Sequence, residues 1–77
     1  MPKMKAADID KLIGDRIRRE RIRQQLTLEE VGKRIGTSLQ AVAHHERGRT
    51  HITVVRLLLL AKALNKPIAF FIEGGKK

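Results

Sequence analysis

The sequence predicts an all-α fold: one compact domain of five helices that contains a helix-turn-helix. Three observations indicate this. Apolar residues recur at spacings of three and four, polar capping residues precede these segments, and glycine or asparagine follows them. No segment alternates apolar and polar residues as a strand would, and there is no internal repeat. At 77 residues the chain has room for one domain with a modest core. We expect helices at about 8–24, 28–35, 39–47, 53–64 and 67–72, all within a domain spanning 8–73.

The first helix is predicted from an apolar stripe that follows a plausible N-cap, Asp8. The residues of this stripe are Ile9, Leu12, Ile13 and Ile17. Residues 1–7 are expected to form a flexible basic arm. The other side of the helix is rich in arginine, at Arg16, Arg18, Arg19, Arg21 and Arg23. Like charges at this density repel one another unless an anion is near, which favours phosphate contact; a solvated helix face is the alternative.

The second and third helices are predicted from their capping residues. Thr27 and Glu30 form a capping box at the start of helix two, and Gly36 ends it with a left-handed turn. Thr37 or Ser38 then caps the third helix, so the two helices must turn sharply. A glycine in the middle of helix two, Gly32, costs about 1 kcal/mol relative to alanine. We therefore expect another helix to approach closely at that position.

The fourth and fifth helices complete the domain. Thr53 caps a helix that ends at Asn65, and Pro67 fits the first turn of a short last helix. The inward stripe of helix four consists of Leu57, Leu60, Ala61 and Leu64. Residues 74–77 form a C-terminal tail.

Charge and composition restrict the partners. The chain has seventeen lysine and arginine residues and eight acidic ones, so its formal net charge is +9. A charge of this size indicates a polyanionic binding partner. Only two aromatic residues are present, Phe70 and Phe71, whereas single-stranded nucleic acids are bound on several stacking platforms. Duplex DNA is therefore favoured. A tight helix pair on a small basic protein typically places its second helix in the major groove.

Five motifs follow one another in register along the chain: Ile13-Gly14-x-x-Ile17 with Arg21, Leu26-Thr27-x-Glu29-Glu30-Val31, Gly36-Thr37-Ser38, Val42-x-x-x-Glu46-x-Gly48 and Leu60-Ala61-x-Ala63-Leu64. Together they resemble the Cro/repressor-type (XRE) helix-turn-helix family, over about residues 12–73. The resemblance implies a lambda-repressor-like DNA-binding fold. It also implies a double-stranded DNA-binding transcriptional regulator that acts on a palindromic operator. Repression, including autoregulation, is the expected activity.

The resemblance also assigns roles to individual positions. Base contacts are expected from the recognition helix, at Gln40, His44, Leu39 and Ala43. A glutamine side chain suits a bidentate contact to adenine. Phosphate contacts are expected from Thr37, Ser38, Arg47, Arg49, Thr50, Arg18 and Arg23. Arg21 and Glu46 match a pair that bridges the first helix and the recognition helix in the family.

Five positions depart from the family pattern, two of them Ile52, where proline is frequent, and Lys66, where an apolar residue is frequent. Leu28 stands where a phosphate-binding glutamine is common, and Glu20 where an apolar residue is common. His45 occupies a position that is usually apolar or aromatic, so we expect it to be partly buried.

The apolar residues late in the chain exceed what one inward stripe holds. We expect the excess residues to form a two-fold homodimer interface on helices four and five, at Leu58, Leu59, Phe70 and Ile72. Such a dimer would present two recognition helices about 34 Å apart. A wider core covered by the first helix is the alternative.

Other classes are less well supported. The chain has no cysteine, and adjacent histidines on a helix, such as His44 and His45, diverge by about 100°, so we expect no metal and no cofactor. There is no phosphate-binding glycine loop or nucleophile motif, so no enzyme is predicted. We expect no small-molecule ligand and no membrane partner, and a cytoplasmic protein of bacterial or phage origin. An antitoxin-like or adaptor protein, whose apolar C-terminal patch binds another protein, is the alternative function.

Overall fold

Five helices pack around one apolar core in residues 4–73, the part of the chain that the structure, a computed structural model, describes. They are α1 (Ala6–Arg23), α2 (Leu28–Ile35), α3 (Leu39–Glu46), α4 (Val54–Ala63) and α5 (Ile68–Glu73). The predicted all-α fold is confirmed, and each helix begins and ends within two residues of its expected position. None of these helices has the length and apolar character that crossing a bilayer requires.

The first helix begins earlier than predicted. Ala6 and Ala7 are helical, and the N-cap is Lys5 rather than Asp8. Asp8 instead lies in the first turn, where its carboxylate accepts a hydrogen bond from the Lys5 backbone N–H at 3.1 Å. The carboxylate is favourable there because the N-terminus of a helix has positive electrostatic potential. Residues 1–3 of the predicted arm and the tail at 74–77 lie outside the described residues.

The inward face of α1 also differs from the prediction. Ile17 is fully buried and Ile13 is half-buried, but Ile9 and Leu12 are 44% and 41% exposed. The helix buries Asp10, Gly14 and Glu20 in addition to Ile17. Apolar periodicity placed the buried stripe wrongly because it ignores buried carboxylates, which are tolerated where hydrogen bonds satisfy them.

All five helices contribute to the core. Its buried apolar residues are Ile17, Val31, Val42, Leu57, Leu60, Ala61, Leu64 and Phe71. The predicted inward stripe of α4 is confirmed, since all four of its residues belong to this core. Leu28 packs against the core as a half-buried residue, so an apolar side chain fits this departure from the family pattern.

The turn between α2 and α3 follows the local sequence. The Thr27 hydroxyl accepts from the Glu30 N–H at 3.0 Å, and the Glu30 carboxylate accepts from the Thr27 N–H at 2.8 Å. Gly36 adopts the expected left-handed conformation, with φ of 74°. Ser38, not Thr37, caps α3 by accepting the Ala41 N–H at 3.2 Å. These local hydrogen bonds fix the short connection between the two helices.

Candidate nucleic-acid interface

The side of α3 that faces away from the core carries the predicted base-contacting residues. Gln40 and His44 are exposed and lie one turn apart, and Leu39 beside them is 41% exposed. Ala43 is half-buried. The opposite side of the helix buries Val42. Both side chains capable of directional hydrogen bonds to bases therefore lie on the outer surface of α3.

Two glycines allow neighbouring segments to approach α3 closely. A Cβ at Gly14 would lie 2.2 Å from the carbonyl oxygen of His45, so α1 and α3 touch backbone to backbone there. A Cβ at Gly32 would lie 2.7 Å from the Thr37 carbonyl oxygen, so the close approach there is made by the turn before α3 and not by a helix as expected. The Thr37 N–H also donates to the Gly32 carbonyl at 2.8 Å. The recognition helix is therefore seated directly on α1 and α2.

The structure brings together the predicted bridging pair. The Arg21 guanidinium donates from Nε to Glu46 Oε2 at 2.6 Å and from Nη2 to Glu46 Oε1 at 3.1 Å. Its remaining nitrogen, Nη1, donates to the Leu26 carbonyl at 2.8 Å. The Glu46 side chain is 3% exposed. This two-point contact fixes the C-terminal end of α3 relative to α1.

The segment after α3, residues 47–53, holds three of the predicted phosphate-contacting residues. Arg47, Arg49 and Thr50 are all exposed. The Thr50 hydroxyl lies 3.0 Å from Nδ1 of His45, which is buried as expected. Burial lowers the pKa of His45, and the nearby positive charge of Arg56 lowers it further. The imidazole, whose neutral form is thus favoured, is hydrogen-bonded to this segment and does not face a DNA base.

The same segment is tied to α1 by contacts that sequence reasoning missed. The Asp10 carboxylate accepts from Nδ1 of His51 through a very short hydrogen bond, and from the Ile52 N–H at 3.2 Å. The hydrogen bond from His51 lowers the pKa of Asp10 below its usual value. A polar residue on the inward side of α1 was the available signal, but its partners lie about 40 residues further along the chain.

The arginines of α1 divide between two sides of the helix. At 3.6 residues per turn, Arg18 lies within about 40° of Gly14, on the side that faces α3, whereas Arg23 lies about 180° away. Arg23 instead pairs with the buried Glu20 at 2.6 Å, and its hydrogen bond lowers the pKa of that carboxyl. Arg18 thus stays a candidate phosphate contact. The Arg23 side chain is 64% exposed even in this pair, so its contact with phosphate stays a prediction.

The predicted dimer residues differ in how exposed they are. Leu58, Leu59 and Ile72 are 44%, 40% and 53% exposed. Phe70 is half-buried; its ring packs edge-to-face on Phe71, with centroids 5.1 Å apart. Two further apolar residues of α4, Val54 and Val55, are 75% and 69% exposed. We call the surface formed by Val54, Val55, Leu58 and Leu59 the α4 apolar face.

Comparison with known proteins identifies the family. A helix-turn-helix family model matches residues 17–71, most of the described domain. The chain belongs to the XRE-type helix-turn-helix family. It is 41% identical over 63 residues to an uncharacterized transcriptional regulator in the ATPase CF(0) region of Rhodospirillum rubrum, covering 82% of this chain and 58% of the relative. It is 46% identical over 57 residues to the uncharacterized HTH-type transcriptional regulator y4dJ of Sinorhizobium fredii, covering 74% of each.

The chain spans about half the length of several relatives, for example 52% of an HTH-type regulator from Sinorhizobium medicae. Two solved structures are also similar. The restriction-modification controller C.AhdI from Aeromonas hydrophila superposes with a TM-score of 0.78 at 30% identity, over 86% of this chain and 94% of that one. The P22 c2 repressor in complex with a synthetic operator gives 0.75 at 32% identity, over 84% and 97%. The chain is thus similar in sequence and fold to DNA-binding regulators of the helix-turn-helix class.

Proposed function

We propose that this helix-turn-helix protein binds a palindromic operator in double-stranded DNA as a homodimer and represses transcription, including that of its own gene. The observation that supports this best is the exposed Gln40–His44 surface on an α3 held in place by the buried Arg21–Glu46 pair. The similar repressor was solved with an operator, which supports duplex DNA as the partner. The net charge of +9 supplies attraction to phosphates.

Sequence discrimination is assigned to Gln40 and His44, with lesser apolar contacts from Leu39 and Ala43. Contacts with the phosphate backbone of the duplex are assigned to Ser38 and Thr37 at the start of α3, and to Arg47, Arg49, Thr50 and Arg18 around it. Base contacts specify the sequence, whereas phosphate contacts supply affinity and register. Replacing Gln40 by alanine should therefore weaken binding to the operator by about 1–3 kcal/mol while binding to random duplex changes little.

The homodimer is assigned to the predicted residues of α4 and α5, Leu58, Leu59, Phe70 and Ile72, and the α4 apolar face extends this surface to Val54 and Val55. Four apolar side chains on one helix surface are unusual for a small monomer to leave in water, and a two-fold axis beside α4 would bury both copies at once. Leu59→Glu should then convert the dimer to a monomer in sedimentation equilibrium at micromolar concentration. Ile9→Glu is the matched control, because Ile9 is similarly exposed but lies near the start of α1. A wild-type protein that is monomeric in this assay would instead favour the adaptor function, in which another protein covers the α4 apolar face.

Operator binding is tested directly by footprinting on the promoter region of its own gene. The proposal predicts protection of a two-fold symmetric site with half-sites about 34 Å apart. For about eight phosphate contacts per dimer, affinity should fall roughly 10⁴-fold between 50 and 200 mM salt. Affinity that stays constant over this range would contradict the proposal.

A further inference from the structure

The segment 47–53, which joins α3 to α4, begins as the C-terminal cap of α3 and then contacts α1. The N–H groups of Arg47, Gly48 and Arg49 donate to carbonyls of α3 at 2.9–3.1 Å. Near its start, a Cβ at Gly48 would lie 2.8 Å from the Cα of Lys11, so the backbone of this segment rests on α1. In the middle, Thr50 is hydrogen-bonded to His45. Towards its end, Asp10 accepts from the His51 ring and from the Ile52 backbone N–H. A connection of this length is normally more mobile than the helices that it joins.

Asp10 and His51 differ in how they are placed. The Asp10 side chain is 11% exposed, and both of its hydrogen-bond donors lie in segment 47–53. The His51 side chain is 79% exposed and contributes little packing. A buried carboxylate needs such donors, because leaving it unpaired is unfavourable. The bonds between Asp10 and the segment therefore hold it against α1, together with half-buried Ile52, which packs against the core.

We propose that Asp10 and His51 are positioning residues for DNA binding, which preorganise the part of segment 47–53 after Gly48 so that Arg49 meets the phosphate backbone. This inference rests on the proposed function, since it assumes that Arg49 contacts phosphate. Preorganisation strengthens binding because the segment does not lose conformational freedom when the complex forms. Neither Asp10 nor His51 has to touch DNA.

The direction in which DNA affinity changes when the Asp10 charge is removed distinguishes a positioning role from simple electrostatic repulsion. An acidic side chain near a phosphate-contacting segment repels DNA, so removal of its charge should strengthen binding if charge alone matters. Removal of the Asp10 carboxylate should instead weaken binding if the carboxylate positions the segment. Asp15 provides the matched control. It lies on the same helix and pairs with Arg19, and its side chain is 52% exposed.

The experiment measures the affinity for a 30-base-pair duplex of random sequence by fluorescence anisotropy between 50 and 200 mM salt. We expect Asp10→Asn and His51→Ala to weaken binding about 5- to 10-fold and to reduce the salt slope by about one per protomer, the loss of one phosphate contact. Asp15→Asn, with the same change in charge as Asp10→Asn, should bind as tightly as the wild type or more tightly. Melting temperatures are recorded for every variant.

The slope separates positioning from a loss of folded protein. A smaller folded fraction lowers the apparent affinity equally at every salt concentration and leaves the slope unchanged. If Asp10→Asn fails to fold, the exposed His51→Ala decides the question. The inference is overturned if His51→Ala keeps the wild-type slope, or if Asp10→Asn matches Asp15→Asn.

Arg49→Ala tests the underlying proposal separately. A lower slope in Arg49→Ala together with wild-type behaviour of the Asp10 and His51 variants overturns only the positioning role. A wild-type slope in Arg49→Ala overturns the contact between Arg49 and phosphate, and the positioning role with it.

Discussion

The close contact between α1 and α3 makes Gly14 the sharpest place to perturb the recognition helix. In Gly14→Ala the new methyl group would lie 2.2 Å from the His45 carbonyl oxygen and 2.8 Å from that of Glu46. Both atoms belong to the backbone of α3, so no side-chain rotation can relieve the clash. Ordinary contact begins near 3.4 Å, so the two helices must separate by roughly 1 Å in a closely packed interior.

The expected cost follows from two opposing terms. Overpacking of this kind costs about 1–3 kcal/mol, and a rigid backbone partner places it at the upper end. Alanine in the middle of a helix recovers about 1 kcal/mol relative to glycine. The free energy of unfolding should therefore fall by about 2 kcal/mol, which lowers the melting temperature by about 8–16 °C in a domain of this size.

The assay combines thermal melting by circular dichroism with operator binding well below the melting temperature. Gly36→Ala is the matched control, because a Cβ there has nothing within 4 Å. Its cost comes only from the backbone strain of alanine at a φ of 74°, about 1–2 kcal/mol. Both variants should lose stability, but Gly14→Ala alone should also lose operator affinity, since it displaces α3. A Gly14→Ala protein that melts at or above the wild-type temperature would refute the backbone contact on which the reasoning depends.

Three further predictions concern buried charge. Arg21→Ala should cost about 3–5 kcal/mol in urea denaturation because it leaves the Glu46 carboxylate buried without its partner; a double replacement by methionine should cost less than the single change. Because hydrogen bonds lower the pKa of Asp10 and Glu20, the folded state binds fewer protons than the unfolded state; stability should therefore fall as pH decreases through about 4, and fall less in Asp10→Asn. Burial lowers the pKa of His45, so stability should already decline as pH drops below about 6.5, and His45→Asn should remove this decline; equal slopes in both proteins would contradict it.

The arginines of α1 show what the charge pattern predicts and what only the structure reveals. The cluster on α1 indicated an anionic partner, but the sequence could not say which arginines are free to meet it. Arg23 pairs with Glu20, and Arg16 donates to the carbonyls of Phe71 and Ile72 at 3.0 and 2.6 Å. Both arginines therefore stabilise the domain, and the DNA-binding charge is assigned chiefly to the segment after α3 and to Arg18. Pairings of this kind depend on which helices pack together, which composition does not specify.

The sequence by itself determined the elements whose signals are local. The capping box at Thr27, the left-handed Gly36 and the serine cap of α3 each involve hydrogen bonds or torsions within four residues, so residue identity is enough to predict them. The inward stripe of α4 was predictable for the same reason, because apolar spacing alone identifies a buried face when no polar group competes.

The tertiary structure decided which side of α1 is buried and how the recognition helix is held. Asp10 is buried because His51 and Ile52 donate to it, and Glu20 because Arg23 and Gln24 do, so Ile9 and Leu12 stay exposed. A carboxylate can replace an apolar residue in the interior only where donors from the fold satisfy it. For Asp10 those donors are supplied by a segment about 40 residues away, and only the folded chain brings them together.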